Sequence, residues 1–262
     1  MKLAISGKGG VGKTLLAASL SKIFAESGYA VIAIDADPDA NLAATLGFPD
    51  PESITPVSEM KELIEERTGT RAGQAAPYFT LNPKVDDIPE KYAKRLNGIR
   101  LMRMGSVKGG GAGCYCPESA LLKTLMAHLL VGTDEAVILD MEAGIEHLTR
   151  GTAGAVDKLI VVVEPGRRSI ETAASIHKLA SDLGIRNLAA VGNKVRSDAD
   201  KDFMRSALPD FEFLGFIPYD QAITDADLAN RSVLTSSTQV AAAVKEIYQA
   251  LVSAKKSPKA NT

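Results

Sequence analysis

The chain has 262 residues, of which 45% are apolar, with a formal net charge of −2 and a pI near 6.0. That length supports a sizeable core in one α/β domain, and the balanced charge leaves no global basic footprint for nucleic acid or acidic lipid. No apolar run reaches the roughly 18 to 20 residues that cross a bilayer. The N-terminus enters Lys2-Leu3-Ala4-Ile5-Ser6 without a signal peptide's charged and apolar regions. The expectation is a cytoplasmic protein with neither a membrane nor a nucleic-acid partner.

In chain order, short β-rich apolar runs fall at residues 2–6, 30–35, 99–104, 136–140, 159–164, 188–193 and 213–217. Helical patterns fill the intervals at 14–26, 118–130, 170–183 and 199–207, and a last one closes the chain at 240–253. This alternation predicts an α/β fold: a doubly wound, mostly parallel sheet of seven or eight strands with helices on both faces. Residues 48–97 break the pattern with several prolines and a polar helix around 58–67, which reads as an insertion on the ligand side. We expect one domain over 1–254, then a frayed tail at 255–262 that lacks apolar side chains to pack.

The most informative local sequence is Gly7-Lys8-Gly9-Gly10-Val11-Gly12-Lys13-Thr14. It fits the phosphate-loop pattern G-x-x-x-x-G-K-[ST] and has the required strand before it and helix after it. Glycines let backbone N–H groups turn toward phosphate oxygens, and the helix adds the positive end of its dipole. The nucleotide-binding set is therefore Gly9, Gly10, Val11, Gly12, Lys13, Thr14 and Leu15, with Lys13 reaching the β- and γ-phosphates and Thr14 a ligand for Mg²⁺. Lys8 is a second lysine where an ordinary phosphate loop needs none.

Lys8-Gly9-Gly10-Val11-Gly12-Lys13-Thr14 resembles the deviant Walker A ATPases, the family of MinD, ParA and the nitrogenase iron protein. The resemblance implies ATP and ADP as ligands and a homodimer in which Lys8 stabilises phosphate charge in the partner's site, as an arginine finger does elsewhere. Asp35-Ala36-Asp37-Pro38-Asp39-Ala40-Asn41 looks like that family's switch I, with Asp37 positioning the attacking water. Val137-Ile138-Leu139-Asp140 looks like a Walker B strand, with Asp140 holding Mg²⁺ through water, and Glu142-Ala143-Gly144-Ile145-Glu146 like switch II. In Val191-Gly192-Asn193-Lys194-Val195, Asn193 occupies the place where the family reads adenine.

The two cysteines, Cys114 and Cys116, are separated by one residue, which makes a disulfide between them awkward. They follow a glycine-rich run, so both thiols lie on a loop able to adapt to a ligand. Thiolates suit Zn²⁺, Cu(I), iron–sulfur clusters and some Ni²⁺ sites. One chain offers half a tetrahedral set, and a two-fold dimer would complete it with a second Cys114 and Cys116.

Around the cysteines and after Asp140, the wording of residues 108–118 and 140–153 resembles the CooC group, nickel-insertion accessory ATPases of carbon monoxide dehydrogenase, and related maturation proteins of acetyl-CoA synthase. That resemblance implies ATP hydrolysis, Ni²⁺ or Zn²⁺ bound through the paired cysteines, and an apo-enzyme client. With only His128, His147 and His177 there is no histidine-rich tail for bulk metal storage. The alternatives are an iron–sulfur reductase or cluster-assembly ATPase, and a positioning ATPase of MinD or ParA type. Neither a switch II cysteine nor a late Cys-x-x-Cys supports the first. For the second, residues 240–252 have few bulky aromatics for membrane insertion.

Overall fold

The computed structural model describes residues 1–71, 78–105, 116–131, 135–145, 148, 150–229 and 231–256. Its first half runs β1 (Lys2–Gly7), α1 (Lys13–Glu26), β2 (Val31–Ala36), α2 (Leu42–Leu46), α3 (Lys61–Thr68), α4 (Ile88–Tyr92), β3 (Lys94–Leu96) and β4 (Ile99–Arg103). Then follow α5 (Pro117–Val131), β5 (Ala136–Met141), α6 (Arg150–Ala153), β6 (Lys158–Val163) and α7 (Arg167–Asp182). The chain ends through β7 (Leu188–Val195), α8 (Asp198–Ala207), β8 (Glu212–Pro218), α9 (Gln221–Leu228) and α10 (Thr238–Lys256).

All eight strands join one sheet in the order β3-β4-β2-β5-β1-β6-β7-β8, parallel except for the β3–β4 pair. β1, β2 and β5 are buried at every residue, as strands covered on both faces must be. Their side chains alternate between two cores. Leu3, Ile5, Ala33 and Ile138 meet α1, α2 and α10, whereas Ala4, Ile32, Ile34 and Leu139 meet α3, α5, α7 and α8.

β1 lies between β5 and β6, so the chain builds one side of the sheet first and then crosses to the other. Ligands bind at such reversals, beyond the carboxyl ends of the strands. The loop after β1 opens there. Because β4, β2 and β5 are mutually parallel, α5 returns antiparallel to them and starts at this same edge.

Residues 48–97 hold more order than their polar composition suggests. Leu63, Ile64, Val85 and Ile88 pack in the core on the α5 side, and Arg67 pairs with Asp87 at 2.8 Å. Residues 94–96 form β3, an edge strand outside the runs expected from sequence. Asn97 (φ 49°) and Gly98 (φ 80°) connect it to β4, the left-handed pair a tight hairpin needs. Among the described residues, no helix is long and apolar enough to cross a membrane.

Candidate nucleotide site

Sterics force the path of the phosphate loop. Gly7 leaves β1 at φ 147°, and a Cβ there would collide with the Val162 carbonyl oxygen of β6; Gly12 (φ 97°) would collide with the Asn193 amide. Gly12 is also the N-cap of α1, which has no side-chain cap and no acidic residue in its first turn. Its initial N–H groups and its dipole are thus left for an anion. Lys13 is 6% exposed, with Nζ 3.4 Å from the Lys8 carbonyl oxygen. Gly9, Gly10, Gly12, Lys13, Thr14 and Leu15 line a cleft of about 930 Å³, and Val11 is buried beneath it.

Two buried carboxylates stand side by side at the strand ends, Asp35 of β2 opposite Asp140 of β5. Asp35 accepts hydrogen bonds from the backbone N–H groups of Asp37 (3.3 Å) and Leu42 (2.9 Å). Burial still raises its pKa from 3.8 to about 6. Asp140 is 1% exposed, and neither of its oxygens has a hydrogen-bond partner among the described residues. Burial raises its pKa to about 7; the Thr14 hydroxyl approaches and opposes the rise without the geometry of a full bond, while Asp35 adds to it. An orphaned carboxylate beside a threonine hydroxyl and a phosphate loop fits a hydrated divalent cation that takes its other ligands from water and phosphate. Asp37 lines the cleft, and its Oδ1 accepts from the Asp39 N–H at 3.0 Å.

Later strands supply a second set of contacts to the loop. Asn193, expected to read a base, donates from Nδ2 to the Val11 carbonyl at 2.6 Å and accepts the Lys194 N–H on Oδ1 at 2.8 Å. It sits in the wall of the cleft as a staple between β7 and the loop. Lys194 donates to the Gly10 carbonyl at 2.7 Å and pairs with Glu164 at 3.0 Å. Glu164 also pairs with Lys8, at 3.4 Å. Ser6 of β1 ties down the segment after β5, its hydroxyl donating to the Gly144 carbonyl at 2.6 Å. Asp35, Glu164, Lys194 and Ser6 were not singled out from sequence. The first lay in plain view in Asp35-Ala36-Asp37 and Lys194 beside Asn193, but nothing local marks Glu164 or Ser6.

Cys116 is half-buried directly before α5, its carbonyl accepting from the Ala120 N–H at 3.1 Å. It therefore stands at the strand edge that carries the phosphate loop. Cys114 and Glu146 lie outside the described residues. Among the described residues, which leave out Cys114, no three His, Cys, Asp or Glu side chains come together in a way that could hold a metal ion.

Residues 2–233 match the CobQ/CobB/MinD/ParA nucleotide-binding domain. The chain is 48% identical to the carbon monoxide dehydrogenase accessory protein CooC of Rhodospirillum rubrum, across 88% of this chain and 89% of that one. It is 42% identical to an uncharacterized ATP-binding protein of Methanocaldococcus jannaschii across 97% and 99% of the two chains. The MinC:MinD cell division complex of Aquifex aeolicus shares the fold, with a TM-score of 0.67 at 21% identity over 99% of this chain and 98% of that one. The chain thus belongs to the CobQ/CobB/MinD/ParA nucleotide-binding family, as an ATPase of the CooC type.

Proposed function

We propose that this ATPase acts as a homodimeric metallochaperone, delivering nickel to carbon monoxide dehydrogenase or acetyl-CoA synthase. The observation that carries the reading is the 48% identity to the carbon monoxide dehydrogenase accessory protein, over 88% of the chain. Within each subunit, Lys13 and the open start of α1 bind the β- and γ-phosphates. Thr14 and Asp140 hold Mg²⁺, which would neutralise charge on those phosphates. Asp37 orients the attacking water, and Asn193 faces the base from β7.

In this reading, Lys8 reaches the partner's phosphates, and Cys114 and Cys116 of two subunits together hold one Ni²⁺ or Zn²⁺ as cargo. Cys116 at the phosphate-loop edge of the sheet supports a link between the two events, since one closing interface would assemble both. ATP and metal then favour the same closed pair and must strengthen each other's binding. Hydrolysis opens the pair and releases the metal to the client.

The test combines metal analysis with sedimentation, with and without ATP, for the wild type and a Cys114→Ser/Cys116→Ser variant. One ion per two chains, lost in the variant, is the expected result. A full site in each monomer, or unchanged binding in the variant, defeats the shared site. Independently, Lys13→Ala abolishes turnover if the phosphate loop does the work assigned to it.

A further inference from the structure

The contact between Lys8 and Glu164 has no place in the reading above. A lysine that serves a second subunit has to leave its own loop, yet here it lies 3.4 Å from Glu164, the residue directly after β6. Glu164 is itself held from the other side. Lys194 pairs with it at 3.0 Å while donating to the Gly10 carbonyl at 2.7 Å. The Glu164 backbone N–H donates to the buried Ser169 hydroxyl at 3.0 Å. Lys194 holds that position from a left-handed backbone, φ 56°, which a residue with a Cβ adopts only where its surroundings impose it.

We infer that Glu164 is a positioning residue that holds Lys8 against its own phosphate loop and so opposes the nucleotide-dependent joining of two chains. The inference rests on the proposed role of Lys8 across the dimer.

Three features make this contact suited to opening. Burial pushes the Glu164 carboxyl up, but Lys194 and then Lys8 outweigh it and hold it below the usual range, so it is ionised at neutral pH and attracts either lysine. When Lys8 leaves, Lys194 still neutralises Glu164, so departure strands no lone charge. The Lys8 side chain is 36% exposed, so it moves without crossing a packed interior. A half-exposed pair of this kind is a weak restraint, worth roughly a two- to threefold bias per chain. Two chains must each give it up to associate, so the bias on the dimer is about fivefold.

Glu164→Gln keeps the shape and removes the charge. It is compared with the wild type by two readouts: the ATP concentration giving half-maximal dimer in sedimentation, and the extent of Lys8 acetylation by an amine-reactive ester in nucleotide-free protein, read by mass spectrometry. Because each chain brings one ATP to the dimer, we expect half-maximal dimer at about two- to threefold lower ATP and more Lys8 labelling, with the dimerisation change absent when Glu164→Gln is made in a Lys8→Ala background. ADP affinity is measured alongside. If it falls in Glu164→Gln together with dimerisation, Glu164 supports the loop instead of opposing Lys8, and the inference is wrong. Unchanged dimerisation against a wild type that does dimerise also overturns it. If the wild type forms no ATP-dependent dimer, the role of Lys8 across the interface fails, and the opposition fails with it; labelling of Lys8 then shows whether the contact within the chain exists regardless.

Discussion

Asp35 and Asp140 occupy the same rung of the sheet and are equally buried, yet their hydrogen bonding is opposite. The end of β2 turns back on itself, so the N–H groups of Asp37 and Leu42 both point at Asp35. The end of β5 runs on toward Gly144, whose carbonyl is taken by Ser6, and among the described residues no backbone donor returns to Asp140. A carboxylate satisfied by its own loop shapes that loop; one left bare in the interior costs stability until a cation joins it. Burial does not distinguish the two acids. The backbone donors do.

The widest test of this contrast is Asp140→Asn. It should reduce ATPase activity by about 100-fold, as loss of one charged group at a phosphate centre does. Because a neutral amide is cheaper to bury than a bare carboxylate, the midpoint of chemical denaturation should stay level or rise. A clear loss of stability would make Asp140 structural. Asp35→Ala should behave the other way, losing about 2 kcal/mol of stability as two backbone donors lose their acceptor. An unaffected denaturation midpoint would break the comparison from that side.

A smaller effect concerns pH. Both carboxyls are raised in the folded protein, Asp35 to about 6 and Asp140 to about 7, so the folded form retains protons that the unfolded chain gives up near 4. Their contribution to stability is therefore whole below about pH 4 and declines as pH rises to about 7. Denaturation of the ligand-free protein between pH 4 and 8 should show this decline, by about 1 kcal/mol or more, and Asp140→Asn should end it near pH 6. A slope unchanged in Asp140→Asn would remove Asp140 from the account. Smallest is the effect of Mg²⁺ without nucleotide. At a concentration near its dissociation constant it should stabilise the wild type by about 0.4 kcal/mol at pH 8 and leave Asp140→Asn unmoved; equal responses in both would place the ion elsewhere.

The core strands were legible because their apolar runs are continuous and each lies between turn-forming and helical stretches. β3 was not, since Lys94-Arg95-Leu96 is short and polar and owes its strand to pairing with β4. The Asn97-Gly98 turn was the signal available for it. Within residues 48–97, prolines and charges obscured Leu63, Ile64, Val85 and Ile88, which have no regular period and find their partners only on α5 and its neighbours. Asn193 was singled out for its place in Asn193-Lys194, but its bond to Val11 spans 182 residues and carries no local mark.

By itself the sequence determined the phosphate loop and the strand and helix that flank it. Glycines at positions 7 and 12 allow its positive-φ backbone, and a lysine and a threonine give it the side chains that meet phosphate and cation. The folded chain alone decided that Asp35 is satisfied and Asp140 bare, and that Glu164 and Lys194 close on the loop from distant strands. Hydrogen-bond satisfaction and charge pairing depend on which atoms the sheet order brings within about 3 Å, and no local spacing encodes that.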